Sequence, residues 1–401
     1  MSDFHQSNRV SNEKYRAELF NYVKRLVRPE NFYNSKRTDP QKFYLGFKNC
    51  VAPLVNTESQ RLKESLAHTN NTHLLLLKSA ALVDSIIRAA FDSSIWLCNR
   101  TLHKKIHSKD IPIAIIARSG YGREELYFQS NVKVQIISSD GQTEEIKQIV
   151  KHLEYLFVHQ NIFQTSINAS YTSIDSLENE LGGSAITDLL ALLEGRLIVG
   201  NTDIYSKFLN TVEKASVLQN ENLLNYCHEH KNYYEVSNTV FQQEPNVKEE
   251  LNRLYWALAL ARLKHNLKNT NQFELLDELL TNGLISVPAF KKIQSSLAFL
   301  SKVRLLLHCE QKGSYRDMMS YEVREKIAQS MGYEVKSFFH KYFYEAAYPL
   351  KKYSRNIFWE SMTQDIQKVK NLSRNFGVNA QNQIIPDKDP ATLFSQNPIR
   401  I

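Results

Sequence analysis

Glycine is scarce in this chain, with 12 in 401 residues. That scarcity excludes a loop-rich or all-β fold, whose tight turns depend on it. Cysteine is scarcer still. Cys50, Cys98, Cys227 and Cys309 stand far apart and form no paired motif, so neither a zinc knuckle nor a disulfide framework is expected, and a reducing cytoplasm suits the composition. Long apolar runs are also missing. No stretch approaches the roughly 18 apolar residues that a membrane helix needs, and residues 1–7 hold no apolar signal core, so neither secretion nor a membrane partner is expected.

Basic residues outnumber acidic ones by 50 to 42, a formal charge of +8. They are scattered along helix-like segments, and no nucleic-acid motif accompanies them. The charge therefore reads as a solvated helical surface that tolerates anionic ligands such as nucleotides, and a nucleic-acid partner is not expected. With 42% hydrophobic and 23% charged residues, the composition is that of a globular chain long enough for two or three domains.

Residues 1–10 are polar and read as unstructured. Helical spacing runs from 12 to 27 and stops at Pro29, resumes over 58–68, and continues over 72–99 with Leu75, Leu82, Ile86, Ala90 and Phe91 along one stripe. The apolar run Ile113-Ala114-Ile115-Ile116-Ala117 is a buried strand. Ser119-Gly120-Tyr121-Gly122-Arg123 breaks it with two glycines that allow a phosphate to approach the backbone, and Val132 to Ile137 resumes the sheet. An amphipathic helix over 143–160 and a third strand over 162–169 complete a small α/β unit. From Ile174 onward strand signals vanish, and helical periodicity continues to Met362.

Ser119-Gly120-Tyr121-Gly122-Arg123-Glu124-Glu125-Leu126, followed by Ser130-Asn131-Val132-Lys133, resembles the nucleotidyltransferase domain of the bacterial protein-PII uridylyltransferases. There Gly-Gly-Tyr-Gly-Arg-Gly-Glu-Leu precedes Ser-Asp-(Ile/Val)-Asp. Weaker likenesses follow: Arg196-Leu197 to Gly200 after a leucine-rich helix, Glu244-Pro245-Asn246-Val247-Lys248 without the family's Pro-Gly-Gly turn, and later helices over 275–283, 287–309 and 321–332. Residues 372–378, 384–385 and 393–398 resemble the β-containing joint before the family's hydrolase domain, but no His-Asp dipeptide occurs. His308 reads as a packing histidine, and His228 and His230, two apart on a helix, as no metal pair.

The resemblance implies an α+β fold, a small polymerase-β-like nucleotidyltransferase core followed by a large α-helical bundle. Its expected divisions are an N-terminal helical extension (1–70), the core (71–172), the helical domain (173–365) and a tail (366–401). It also implies a loss. Asp-x-Asp on a strand aims two carboxylates at one pair of divalent ions, and here those positions are Asn131 and Lys133. An amide is a weak ligand and an ammonium repels the ion. The third strand supplies no acid, and Glu124, Glu125 and Asp140 fall at the wrong spacing. No catalytic residue, no magnesium and no other cofactor is therefore expected. Ser119, Gly120, Tyr121, Gly122, Arg123, Ser130 and Lys133 remain as a candidate nucleotide cradle, in which Lys133 either replaces the metal's charge or simply reaches solvent. The implied protein is a catalytically degenerate regulator whose partner is a PII-type signalling protein or another regulatory protein. The alternative is an active nucleotidyltransferase with rearranged ligands.

Overall fold

The computed structural model describes residues 2–33, 39–139, 143–159, 167–181, 186–231, 234, 244–311, 313, 316–363, 376–378 and 384–386. By internal contacts the chain divides into two units, residues 1–223 with 305–316, and residues 224–304 with 317–401. The fold is α+β, a small mixed sheet with helices in the first unit and a largely helical second unit.

Three helices open the first unit: α1 (Ser2–Leu26), α2 (Pro40–His68) and α3 (Thr72–Leu102). The Asn71 side chain accepts from the Leu74 N–H to start α3, and His103 ends it in the left-handed conformation with its N–H on the Asn99 carbonyl. Leucine, alanine and isoleucine recur on every side of α3, most of which is buried, so it is the central helix of the unit and not a surface one. Helix α1 packs along it. The expectation that residues 1–10 lack structure is corrected here. Asn8 is 3% exposed, and its side-chain amide exchanges hydrogen bonds of 2.7 and 3.2 Å with Asn71, which anchors the first turns of α1 to the start of α3. Pro29 then opens a separate single turn, Pro29–Phe32.

The sheet runs in the order β3-β2-β1-β4, from β1 (Ile113–Ala117), β2 (Val132–Ser138), β3 (Ile167–Ser173) and β4 (Arg196–Gly200). Strand β2 pairs antiparallel with β1 and parallel with β3. Every residue of β1 is buried, which is why its sequence is an unbroken apolar run instead of an alternation. Helix α4 (Glu144–Glu154) carries the chain from β2 to β3, capped by the Thr143 hydroxyl and extended by a π turn at Tyr155–His159. The third strand is described from Ile167 to Ser173; residues 160–166, where its sequence pattern starts, lie outside the described residues, as do Asp140 and Gly182-Gly183.

Strand β4 overturns the expectation that no strand follows Ile174. Helices α5 (Ile174–Leu181) and α6 (Ile186–Leu193) come first. At Gly195 the chain passes so close to its neighbours that a Cβ would lie 2.8 Å from the Leu192 carbonyl and 2.9 Å from the Phe208 ring. The helix therefore stops, and Arg196–Gly200 pairs antiparallel with β1 as the second edge of the sheet. Helix α7 (Thr202–Leu218), capped by Asn201, follows.

In the second unit, α9 (Val247–His265) follows α8 (Asn220–Glu229) and packs along α13 (Tyr348–Thr363). Between them lie α10 (Gln272–Thr281), α11 (Val287–Glu310) and α12 (Tyr321–Ser330), close to the ranges that the later-helix resemblance implies. His228 stacks on Phe358, and His230 lies 3.7 Å from the Trp256 ring centre, so both imidazoles pack against aromatics. Asn246 caps α9, and Lys248 beside it is exposed. The tail contributes an antiparallel pair, Phe376–Val378 with Ile384–Pro386.

Candidate functional site

The chain leaves β1 at Arg118 and makes a single helical turn, Ser119–Gly122, entered through Ser119 at φ +55°. This turn closes on its own backbone. The N–H groups of Gly122, Arg123, Glu124 and Glu125 donate to the carbonyls of Arg118, Ser119, Tyr121 and Gly120 at 2.8–3.1 Å, which commits the amides of two members of the candidate cradle, Gly122 and Arg123. The two glycines differ. A Cβ on Gly120 would meet only ordinary contacts at 3.5 and 3.6 Å, whereas one on Gly122 would overlap the Glu194 carbonyl oxygen. Gly122 is therefore required where the turn passes the end of α6.

Behind the turn lies a buried ionic cluster. Asp84, in the middle of α3 and fully buried, accepts both terminal nitrogens of Arg196 at 2.9 Å, the Tyr121 hydroxyl at 2.6 Å, and faces Arg16 at 3.2 Å. Glu124, held at φ +60° and 3% exposed, pairs with Arg9 and Arg16 of α1. Burial alone would raise the Glu124 carboxyl, but Arg196, Arg9 and Arg16 outweigh it and hold the group at about 2. Arg123 lies between two further acids, 2.9 Å from Glu125 and 2.7 Å from Glu194. Tyr121 and Arg123, both candidates for a nucleotide cradle, are thus placed in the protein's own hydrogen-bond network. Every acid of the turn already has a cation.

The open face is different. Lys133 and Gln135 share one side of β2, and their parallel partners on β3 are Asn168 and Ser170. Asn131 precedes the strand, and Asn131, Lys133, Asn168 and Ser170 are all exposed. The Ser170 hydroxyl donates to Gln135 Oε1 at 2.7 Å and accepts from Arg118 at 3.2 Å. No carboxylate occurs in β2 or β3. Burial draws the Arg118 guanidinium below its usual range, and the charge of Asp188 on α6 opposes this. Lys133 does reach solvent, but from a central strand and not a sheet edge. Ser130 stands apart from that face, lining a cavity of about 50 Å³ with Lys63 and Ser79. Among the described residues no group of three or more His, Cys, Asp or Glu is arranged to hold a metal ion. His308 is buried and its Nδ1 accepts from the Gln129 N–H at 3.1 Å, a packing role as its sequence context suggests.

A sequence model of the GlnD PII-uridylyltransferase family matches residues 223–358. Over those residues the chain is similar to the PII-uridylyltransferases. It is 27% identical over 235 residues to the bifunctional uridylyltransferase/uridylyl-removing enzyme of Haemophilus influenzae strain 86-028NP, covering 56% of this chain and 26% of that protein. Proteins of the same name from Novosphingobium aromaticivorans and Pseudomonas savastanoi pv. phaseolicola are 25% identical over 266 and 294 residues, covering 63% and 72% of this chain and 27% and 30% of theirs. The chain thus spans about a quarter to a third of the length of the curated relatives it matches. Asn131 and Lys133, where the resemblance of the turn motif implies an acid pair, fall at the exposed end of this face. Arg118, Asn168 and Ser170 join that face although the turn motif does not contain them. The parallel register of β2 and β3 brings Asn168 and Ser170 there, Arg118 reaches Ser170 from the end of β1, and only the polar alternation of Asn168-Ala169-Ser170-Tyr171 hints at the face in sequence.

Proposed function

We propose that this protein is a catalytically silent uridylyltransferase relative that acts by binding, with a PII-type signalling protein as its partner. The observation that carries the reading is the composition of the open face of β2 and β3. A hard divalent ion needs oxygen anions, and the face offers an exposed ammonium, two amides and a hydroxyl. The residues present do not fit magnesium, and no step through a metal follows from them. The nearby acids do not remedy this, since Glu124 and Glu125 are paired with arginines. The partner assignment rests on the relatives, whose shared family description names PII. A non-membrane, cytoplasmic setting follows from the same reading, and no helix among the described residues is long and apolar enough to cross a membrane.

Label transfer from UTP to a purified PII-type protein, in magnesium or manganese, tests the catalytic half, and no incorporation is expected. Incorporation that disappears on Asn131→Ala or Asp188→Asn would establish an active enzyme with rearranged ligands. Calorimetry against the same PII-type protein tests the binding half, where absence of heat at micromolar concentrations would remove this partner.

A further inference from the structure

Away from the strands, a groove of about 750 Å³ opens in the first unit between the end of α1 and the middle of α3. We propose that this groove binds a nucleoside phosphate without a metal ion. Its size lies within the roughly 300–1,000 Å³ of small-molecule sites. Three cations, Lys24, Arg25 and Arg28, line it against one carboxylate, Asp92.

Two of those cations have a local reason to be there. The carbonyl end of a helix favours basic residues, Arg25 donates to the Asn21 carbonyl at 3.3 Å, and Lys24 lies 6.0 Å from the Phe20 ring. Arg28 has no such reason, because it lies past the last turn of α1 in extended backbone with its side chain exposed. The loop after α3 brings Ser108 to the rim.

The floor is not basic. Val27, Pro29, Ala89 and Trp96 give it an apolar character. Trp96 is half-buried and held firmly, stacked on Phe43 at 5.8 Å and 12°, with Tyr33 edge-on at 5.9 Å and the Arg100 guanidinium 5.4 Å from its ring. A surface that merely attracts polyanions needs no fixed aromatic floor. Cations around an apolar, ring-bearing floor match a ligand with a flat body and an anionic end. Asp92 is the one carboxylate of the lining, and its charge opposes an anion there. Burial pushes its carboxyl up, and Lys24 and Arg88 draw it down.

Calorimetry of the full chain in EDTA, with ATP, UTP, tripolyphosphate and uridine as separate titrants, tests the proposal. The nucleotides should bind, tripolyphosphate more weakly, and uridine not detectably. The double variant Lys24→Ala/Arg28→Ala should weaken nucleotide binding by about tenfold or more, as expected for losing charge-assisted contacts. Asp92→Asn should tighten it, and circular dichroism should show both variants folded. Absence of nucleotide binding overturns the proposal, as does binding that the double variant leaves unchanged. Tripolyphosphate binding as tightly as the nucleotides also overturns it, since the nucleoside would then contribute nothing. Binding that is lost on Lys133→Ala and kept in the double variant would place the nucleotide on the face of β2 and overturn this groove as its site, without touching the absence of transfer activity.

Discussion

The two sides of the glycine turn treat charge in opposite ways. On the inner side, Asp84 and Glu124 are withdrawn from water and neutralised by Arg9, Arg16 and Arg196. On the outer side, the strand face where the turn-motif resemblance implies an acid pair carries Asn131 and Lys133 and no acid. The acids of the inner side hold elements together, and the open strand face carries none. The proposed separation of scaffold from reaction can be probed from either side.

The largest effect should come from the inner side. Asp84→Ala removes the carboxylate that holds both terminal nitrogens of Arg196 and leaves Arg196 and Arg16 with Glu124 as their remaining acid in the cluster. Breaking such a pair costs about 3–5 kcal/mol, measurable by urea unfolding. A loss below about 1 kcal/mol would mean that the cluster is solvated and the contrast between the sides is weaker than drawn. Acid should act on the same cluster more gradually. Glu124 is depressed from 4.5 to about 2 in the folded protein, so its contribution is complete above pH 4.5 and is lost as pH falls from there toward 2. That contribution is at most about 3 kcal/mol. Glu124→Gln should flatten the acid limb of the stability curve over this window.

The two glycines give a smaller and sharper test. Gly122→Ala must push against the Glu194 backbone and should cost about 1–3 kcal/mol, while Gly120→Ala should be tolerated to within about 0.5 kcal/mol. Thermal unfolding of the two variants side by side decides it, and equal losses would return both glycines to a common role in the turn. The smallest effect belongs to the outer side. Asn131→Asp combined with Lys133→Asp changes only exposed positions and should shift stability by no more than about 0.5 kcal/mol. It should nonetheless create magnesium binding detectable by calorimetry without restoring transfer, because β3 still provides no third acid.

Much of this was readable in the residues. The apolar run of β1, the polar break at Ser119 and the length of α3 follow from periodicity and turn chemistry, the ranges of α11 and α12 follow from the family resemblance, and the absence of acids from β2 and β3 needs no coordinates. Strand β4 was masked by the leucine-rich helix before it, although Leu197-Ile198-Val199 between Gly195 and Gly200 has the composition of a strand. The ionic cluster was not readable at all. Arg9 and Glu124 are 115 residues apart, and Arg196 and Asp84 are 112 apart, so no local pattern ties them, and Arg123 looked like a ligand for phosphate because Glu194 lies 71 residues away.

The first unit is discontinuous along the chain, and this sets an order of events during synthesis. The Gln129 N–H, just past the turn, is satisfied by His308, made 179 residues later. At the usual pace of about 5–20 residues per second, that interval lasts roughly 10–40 s. For the last part of that time, the roughly 6–22 s between Arg196 and His308 at that pace, a nascent chain already carrying the turn and every member of the ionic cluster must wait with one wall of the unit absent. Leu305–Arg316 is in this sense a late keystone, and slow decoding between the two segments would lengthen the exposure of the sheet to the surrounding cell.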